Sequence, residues 1–300
     1  MKNIFFCLLI FSSFLAVAQS NQNINKNTGT VSNCINTIDS IRFNGSSTNM
    51  EVVFQNGTIE THSISDIVNV NFVSASQHSC GADSIHNPNL CYGSMTDQEG
   101  NIYKTILIGT QEWMAENLKT STYRNGDPIT TNLTNSEWEN TIDTQLGAWA
   151  YVNNDSLYDC PYGKLYNFFA VADPRHICPS GWHEPTDAEW SELINYLDPN
   201  ADGGNNYNLV AAKLKSEGTQ YWNSPNTSAT NESGFSGLAI GIRSSNGQFF
   251  ANDIGYAYWW TSSETDSITS WVRYLFISFD VAYRSVGAKQ AGNPLRCLRD

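Results

Sequence analysis

The sequence predicts an α+β protein: a small all-β module followed by a larger domain of mixed, irregular β-sheet with two short helices. Three observations lead there. All nine Trp lie at Trp113 or later and all 14 Tyr at Tyr92 or later, which assigns the ring-rich core to the carboxyl-terminal part. Short runs rich in β-branched and aromatic residues recur between Gly, Asn, Asp and Pro, the pattern of strands. The segment 186–197 repeats its apolar residues with the period of a helix.

Residues 1–18 read as an export signal. Lys2 precedes the apolar run IFFCLLIFSSFLAV, and Ala16-Val17-Ala18 stands before the polar switch at Gln19. The run is short for a bilayer span and no stop-transfer segment follows it, so we expect a secreted chain, extracellular or at the cell surface, with no membrane insertion. The β module is expected over 31–75. In MEVVFQNGTIETH, Asn56-Gly57 supplies the two positive-φ residues of a type I′ turn and predicts a hairpin over 50–62. INTIDSIRF and ISDIVNVNF share apolar positions at Ile35/Ile64, Ile38/Ile67, Ile41/Val70 and Phe43/Phe72, which predicts two similar strands flanking that hairpin. Residues 76–95 form a polar linker carrying Cys80 and Cys91, which can bridge to each other or reach elsewhere.

The larger domain is expected over 96–300. Its strands are NIYKTILIG (101–109), GAWAYV (147–152), KLYNFFAV (164–171) and SWVRYLFISF (270–279). The last is apolar on both alternating faces, Trp271, Leu275, Ile277 and Phe279 against Val272, Tyr274 and Phe276, and reads as a central strand covered on both sides. Thr186-Asp187-Ala188-Glu189 is a capping box, in which the threonine hydroxyl and the glutamate carboxylate satisfy each other's backbone amides. Trp190, Leu193, Ile194 and Leu197 then share one helix face, and Asp198-Pro199 stops the helix. A second helix is expected over about 207–217, ended by Gly218.

Composition narrows the partner. A net charge of -13 with only 15% charged residues disfavours nucleic acid and anionic membrane surfaces, both of which need clustered Lys and Arg. A protein, a divalent cation or a glycan remains. Setting Cys7 aside leaves Cys34, Cys80, Cys91, Cys160, Cys178 and Cys297, an even number in an exported chain. Six cysteines allow 15 pairings, with buried free thiols as the alternative.

The segments DQEGNIYKTILIGTQEWMAENLKT, YGKLYNFFAV, CPSGWHEPTDAEW, GTQYWNSPNTSATNESGFSGL, YAYWWTSSE and PLRCLRD, in this order over 96–300, resemble the Fibrobacter succinogenes major paralogous domain, FISUMP. The resemblance implies a secreted or surface-associated module with an α+β fold similar to the C-type-lectin-like fold. PTDAEW also resembles the PTEAEW of formylglycine-generating enzymes and other sulfatase-modifying-factor-like proteins. Family members often carry cysteine at the positions aligned with Glu112 and Ala148 and threonine where Cys160 stands, so their disulfides do not transfer whole. Cys178 and Cys297 do sit in matching segments, and the resemblance points to a bond between them.

Candidate site residues fall into three groups. DPNADG offers oxygens at Asp198, Asn200 and Asp202 for calcium, but Leu209 stands where a calcium loop brings its bidentate Glu, and a helix-ending turn explains the segment equally. His176, Cys178 and His183 lack the partners of a tetrahedral zinc set. No Gly-x-Ser-x-Gly, Gly-rich phosphate loop or HExxH occurs, and Glu184, Asp187 and Glu189 group near the capped helix without an assigned reaction. A non-catalytic module without a resident cofactor is expected. A formylglycine-type oxidase, which needs a reactive cysteine pair for copper, and a purely structural surface protein are the alternatives. The binding set is Trp222, Asn223, Asn226, Asn231, Glu232, Trp259, Trp260 and Glu264, with Tyr221 and Tyr258 beside them: rings for the apolar side of a sugar, amides and carboxylates for its hydroxyls. Adjacent strand residues face opposite ways, so Trp259 or Trp260 must be core. The expected function is recognition or adhesion on extracellular polysaccharide or a surface protein.

Overall fold

A computed structural model of the chain describes residues 20–26, 29–34, 38–43, 48–54, 58–74, 85–201, 208–250 and 255–300. The expected export signal, Asn56-Gly57, Cys80 and Asp202 lie outside the described residues. The chain divides into two units, 1–75 and 76–300.

In the first unit, β1 (Ser20–Lys26), β2 (Gly29–Cys34), β3 (Ile38–Phe43), β4 (Asn49–Phe54), β5 (Ile59–Ser63) and β6 (Ile67–Ser74) make two antiparallel sheets, ordered β2-β1-β6 and β3-β4-β5. β4 and β5 pair antiparallel as the expected hairpin, with Met50 opposite His62, one residue out from the Met50–Ser63 pairing that a two-residue Asn56-Gly57 turn would give. The two repeats part company. β3 flanks the hairpin, whereas the second repeat begins with a 3-10 turn at Ile64–Asp66 and continues as β6, which pairs with β1. The Ile64 N–H donates to Thr48 O at 2.9 Å, closing the end of the hairpin sheet before the turn redirects the chain. Strands therefore precede the module start expected at residue 31. Met50 and Val52 form the centre of this unit's small core.

The second unit is α+β. Its strands are β7 (Gly93–Thr96), β8 (Ile102–Ile108), β9 (Gln111–Met114), β10 (Trp149–Ala150), β11 (Leu165–Tyr166), β12 (Trp182–His183), β13 (Ile242–Arg243), β14 (Phe249–Phe250), β15 (Tyr256–Glu264), β16 (Thr269–Phe276), β17 (Ala282–Ala288) and β18 (Leu298–Arg299). Two sheets dominate, β12-β18-β9-β8-β7 and β15-β16-β17. The helices are α1 (Asn135–Glu139), α2 (Thr141–Thr144), α3 (Asp159–Tyr162), α4 (Phe168–Val171), α5 (Asp187–Leu197) and α6 (Ala211–Leu214).

Helix α5 has both halves of the expected capping box and ends at Asp198. Trp190, Leu193 and Ile194 are buried, and Trp113, Trp190, Phe235 and Trp259 pack ring against ring with centroids 4.9 to 6.0 Å apart. Asp187 also binds beyond its own helix: it accepts from Arg273 and Arg284 at 2.8 Å each, pinning the start of α5 to β16 and β17. A second core surrounds Tyr166, Phe168 and Trp260 and contains the disulfide Cys178–Cys297, whose Cα atoms lie 5.8 Å apart. The bond suggested by the family resemblance is thus present, joining the entry to α5 with β18.

Three local expectations differ from the structure. The run 164–171 is a strand only at Leu165–Tyr166, because the Asn167 side chain accepts from the Ala170 N–H and starts α4. The run 147–152 pairs only at Trp149–Ala150. The helix expected over 207–217 shrinks to Ala211–Leu214, since Lys215 turns extended and the Ser216 N–H donates to Gly237 O at 2.9 Å, in a short parallel bridge between Lys215 and Gly237.

Candidate functional site

The structure divides the expected binding residues. Trp222, Trp259 and Trp260 are 0% exposed and offer no face to a ligand. Each indole N–H is satisfied within the fold: Trp222 donates to Gly237 O at 2.9 Å, Trp259 to Asn117 Oδ1 at 2.9 Å and Trp260 to Tyr166 O at 2.7 Å. Asn226 and Asn231 are buried as loop braces. The Asn226 amide donates to the carbonyls of Ser216 and Gly218, and Asn231 donates to Ile85 O and Ser236 Oγ while accepting from the Ser236 N–H. These five residues are scaffold, a correction with one cause: a buried polar group must find its partner inside the protein. Asn223, Glu232 and Glu264 are exposed, with Glu232 paired to Lys213 and Glu264 to Lys289, each at 3.0 Å.

Of the calcium candidates, Asp198 spends its carboxylate on backbone, accepting from the N–H groups of Asn200 and Leu209 at 3.0 Å each. That is the helix-ending turn. Among the described residues no group of three His, Cys, Asp or Glu side chains is placed to hold a metal ion. Cys178 and Cys297 are bonded to each other and 0% exposed, Cys91 and Cys160 are also disulfide-bonded, and His183 bridges Glu189 at 2.9 Å and Asp300 at 2.8 Å.

The feature that stands out is a face of the three-stranded sheet. Tyr258, Tyr274 and Tyr283 lie opposite one another across β15, β16 and β17, and Tyr256 lies opposite Phe276 two pairs further along, the next on that face. Neighbouring rings stack, with centroids 5.1 Å apart for Tyr258 and Tyr274 and 4.8 Å for Tyr274 and Tyr283, and Tyr256 packs tilted against Phe276 at 4.4 Å. Phe279, 51% exposed, packs on Phe276 at 5.4 Å. All the others are half-exposed. Tyr274 and Phe276 were expected on a covered face, so this end of β16 is open on one side. Solvent-facing positions of an antiparallel sheet are normally polar, which makes six grouped rings informative. Burial and the neighbouring Tyr283 and Tyr256 raise the Tyr274 pKa, keeping this phenol a neutral hydroxyl.

A polar loop borders the ring face. The Thr227 N–H donates to Ile277 O at 2.8 Å, tying the stretch after Trp222 to the chain just past Phe276. Asn226, Ser228 and Asn231 hold positive φ of 42°, 56° and 47°. The loop is fixed by the Asn226 and Asn231 amides and displays Asn223 at its surface. The sequence pointed to this loop and to Tyr258 and missed the other five rings, although YAYWW carried part of the signal in its alternation: Tyr256 and Tyr258 share a face with Trp260.

Fold and site together define an α+β domain braced by a buried disulfide, with a partly exposed aromatic sheet face. The chain belongs to the Fibrobacter succinogenes major domain family, whose model matches residues 106–299 and so takes in the whole ring face. No curated protein and no solved structure matches it. Among the described residues no helix is long and apolar enough to cross a membrane.

Proposed function

We propose that this chain is an exported, non-catalytic recognition module, and that the ring face of β15-β16-β17 binds a neutral extracellular polysaccharide. The supporting observation is the grouping of Tyr256, Tyr258, Tyr274, Phe276, Phe279 and Tyr283 at half-exposed or exposed positions. Tyrosine suits such a surface because its body is apolar and its tip is a hydroxyl, matching the mixed surface of a pyranose. None of the six is an Asp, Glu, Lys, Arg or His, and the chain's net charge of -13 works against acidic polymers. The tyrosine ladder repeats at the strand spacing, close to the length of one pyranose in an extended β-linked chain. A polymer crossing the strands would meet one ring per sugar. The relation to C-type-lectin-like domains, implied by the family resemblance, agrees with a binding role.

Retention of the purified protein on insoluble β-glucan, xylan and mannan tests the proposal. Retention should survive high salt and fall at least roughly fivefold in Tyr274→Ala, the equivalent of about 1 kcal/mol for one aromatic contact. Equal retention of Tyr274→Ala and wild type would sink the proposal.

A further inference from the structure

A second feature lies at the other end of the three-stranded sheet, where the β15-β16 turn and the end of β17 face α4. A pocket of about 420 Å³ opens there, lined by Gln145, Phe169, Asp173, Glu264, Ser267 and Lys289 among others. That volume is in the range of small-molecule sites. Two of its lining side chains form an ion pair, Lys289 Nζ with Glu264 Oε1 at 3.0 Å. The two partners are held very differently. The Lys289 side chain is 6% exposed and its ammonium sits 5.4 Å from the centre of the Phe168 ring, whereas the Glu264 side chain is 59% exposed. A donor fixed by packing and a reachable acceptor thus stand side by side.

We infer that this pocket binds a single neutral pyranose through a vicinal diol. Two gauche hydroxyls on adjacent ring carbons are about one hydrogen bond apart, matching the separation of Nζ and Oε1. One hydroxyl accepts from the ammonium while its neighbour donates to the carboxylate, and both bonds are charge-assisted. Gln145 and Ser267 add an amide and a hydroxyl, and Phe169 supplies an apolar wall for the ring carbons. Charge selects against the alternatives. A ligand carboxylate would meet Glu264 and Asp173, and a ligand ammonium would meet Lys289. Asp173 is engaged by Arg175 through both carboxylate oxygens, and Asp266, close to Lys289, by the N–H groups of Ile268 and Thr269, so neither competes for the ammonium.

The inference shares the ligand class of the proposed function and rests on that reading only there. Calorimetric or NMR titration of the full chain with methyl glycosides tests it, each compared with the analogue lacking one hydroxyl of the diol, and with the corresponding uronate and amino sugar. Binding on the order of 1 mM is expected for the parent glycoside. A loss of about tenfold is expected for the deoxy analogue and for Glu264→Ala, an exposed position. Ser267→Ala should lose less. Uronate or amino sugar binding tighter than the neutral glycoside, undiminished affinity in Glu264→Ala, or no glycoside binding at all would each overturn the inference. The two readings fail separately: polysaccharide retention lost in Tyr274→Ala with no glycoside binding leaves the ring face standing alone, and the opposite pair of results leaves the pocket.

Discussion

Two stretches of one strand face share the same chemistry and end in opposite roles. Tyr256, Tyr258 and Trp260 alternate along β15 and point to the same side of the sheet, as do Phe276, Tyr274 and Val272 opposite them on β16. The Trp260 end is sealed: Phe168 of α4 packs against it at 5.5 Å, its indole donates to Tyr166 O, and Gly287 on β17 leaves room for the ring, since a Cβ there would come within 3.3 Å of it. The tyrosine end is half open. Whether an aromatic residue becomes core or surface is decided by what lies over the sheet and not by the residue, and here the cover is α4 with the disulfide-bearing segments behind it.

The sharpest way to break this comparison is to loosen the sealed end. Replacing Cys178 and Cys297 by Ala removes a crosslink between residues 119 apart, which the chain-entropy account values at about 4 to 5 kcal/mol. Urea denaturation should show a loss of that order, and a loss under about 1 kcal/mol would mean that the packed core alone holds the seal. Trp260→Ala comes next. Emptying a fully buried indole site should cost about 3 to 5 kcal/mol, while Tyr258→Ala, two residues away on the same face, should cost less than half as much because its ring is already partly hydrated. Equal losses for the two would erase the distinction between the ends.

Sequence reasoning reached those features whose causes are local. The capping box at Thr186, the antiparallel pairing of β4 with β5 and the strand at Ile102–Ile108 each follow from residues within a few positions of one another. The start of α4 was local too, and was missed because Asn167 sits inside a run of β-type residues where its capping oxygen is easy to overlook. The ring face was out of reach for another reason. Tyr258, Tyr274 and Tyr283 become neighbours only through the β15-β16-β17 register, and a one-residue slip in any strand would turn a tyrosine to the other face. Burial of Trp222, Trp259, Asn226 and Asn231 likewise depends on chain returning from far away, as in the bond from Asn231 to Ile85 O. The family resemblance supplied the Cys178–Cys297 pairing, which spacing alone left among 15 possibilities.

The smallest effect concerns the edge of the sealed end, where β12 meets the chain's last residue. His183 donates or accepts between Glu189 of the capping box and Asp300, at 2.9 and 2.8 Å. Partial burial alone would lower its pKa, but the hydrogen bonds to the two carboxylates outweigh this and raise it above the ordinary value of 6.5. A raised folded-state pKa means that the histidine's contribution is complete below about pH 6.5 and is lost as pH rises through the folded value. Glu189 runs the other way. Burial is outweighed by its bonds to Thr186 and His183, its pKa falls below 4.5, and its contribution is present above that value and lost as pH falls through the lowered one. The two overlap between about pH 4.5 and 6.5. Thermal melts across that range should therefore show His183→Gln destabilised most inside the window and converging on wild type at higher pH, by less than about 1 kcal/mol because the groups are partly solvated. A gap between the two proteins that widens above pH 7 would show that the imidazole is held as a neutral packing group, and the acid-side latch on α5 would then be absent.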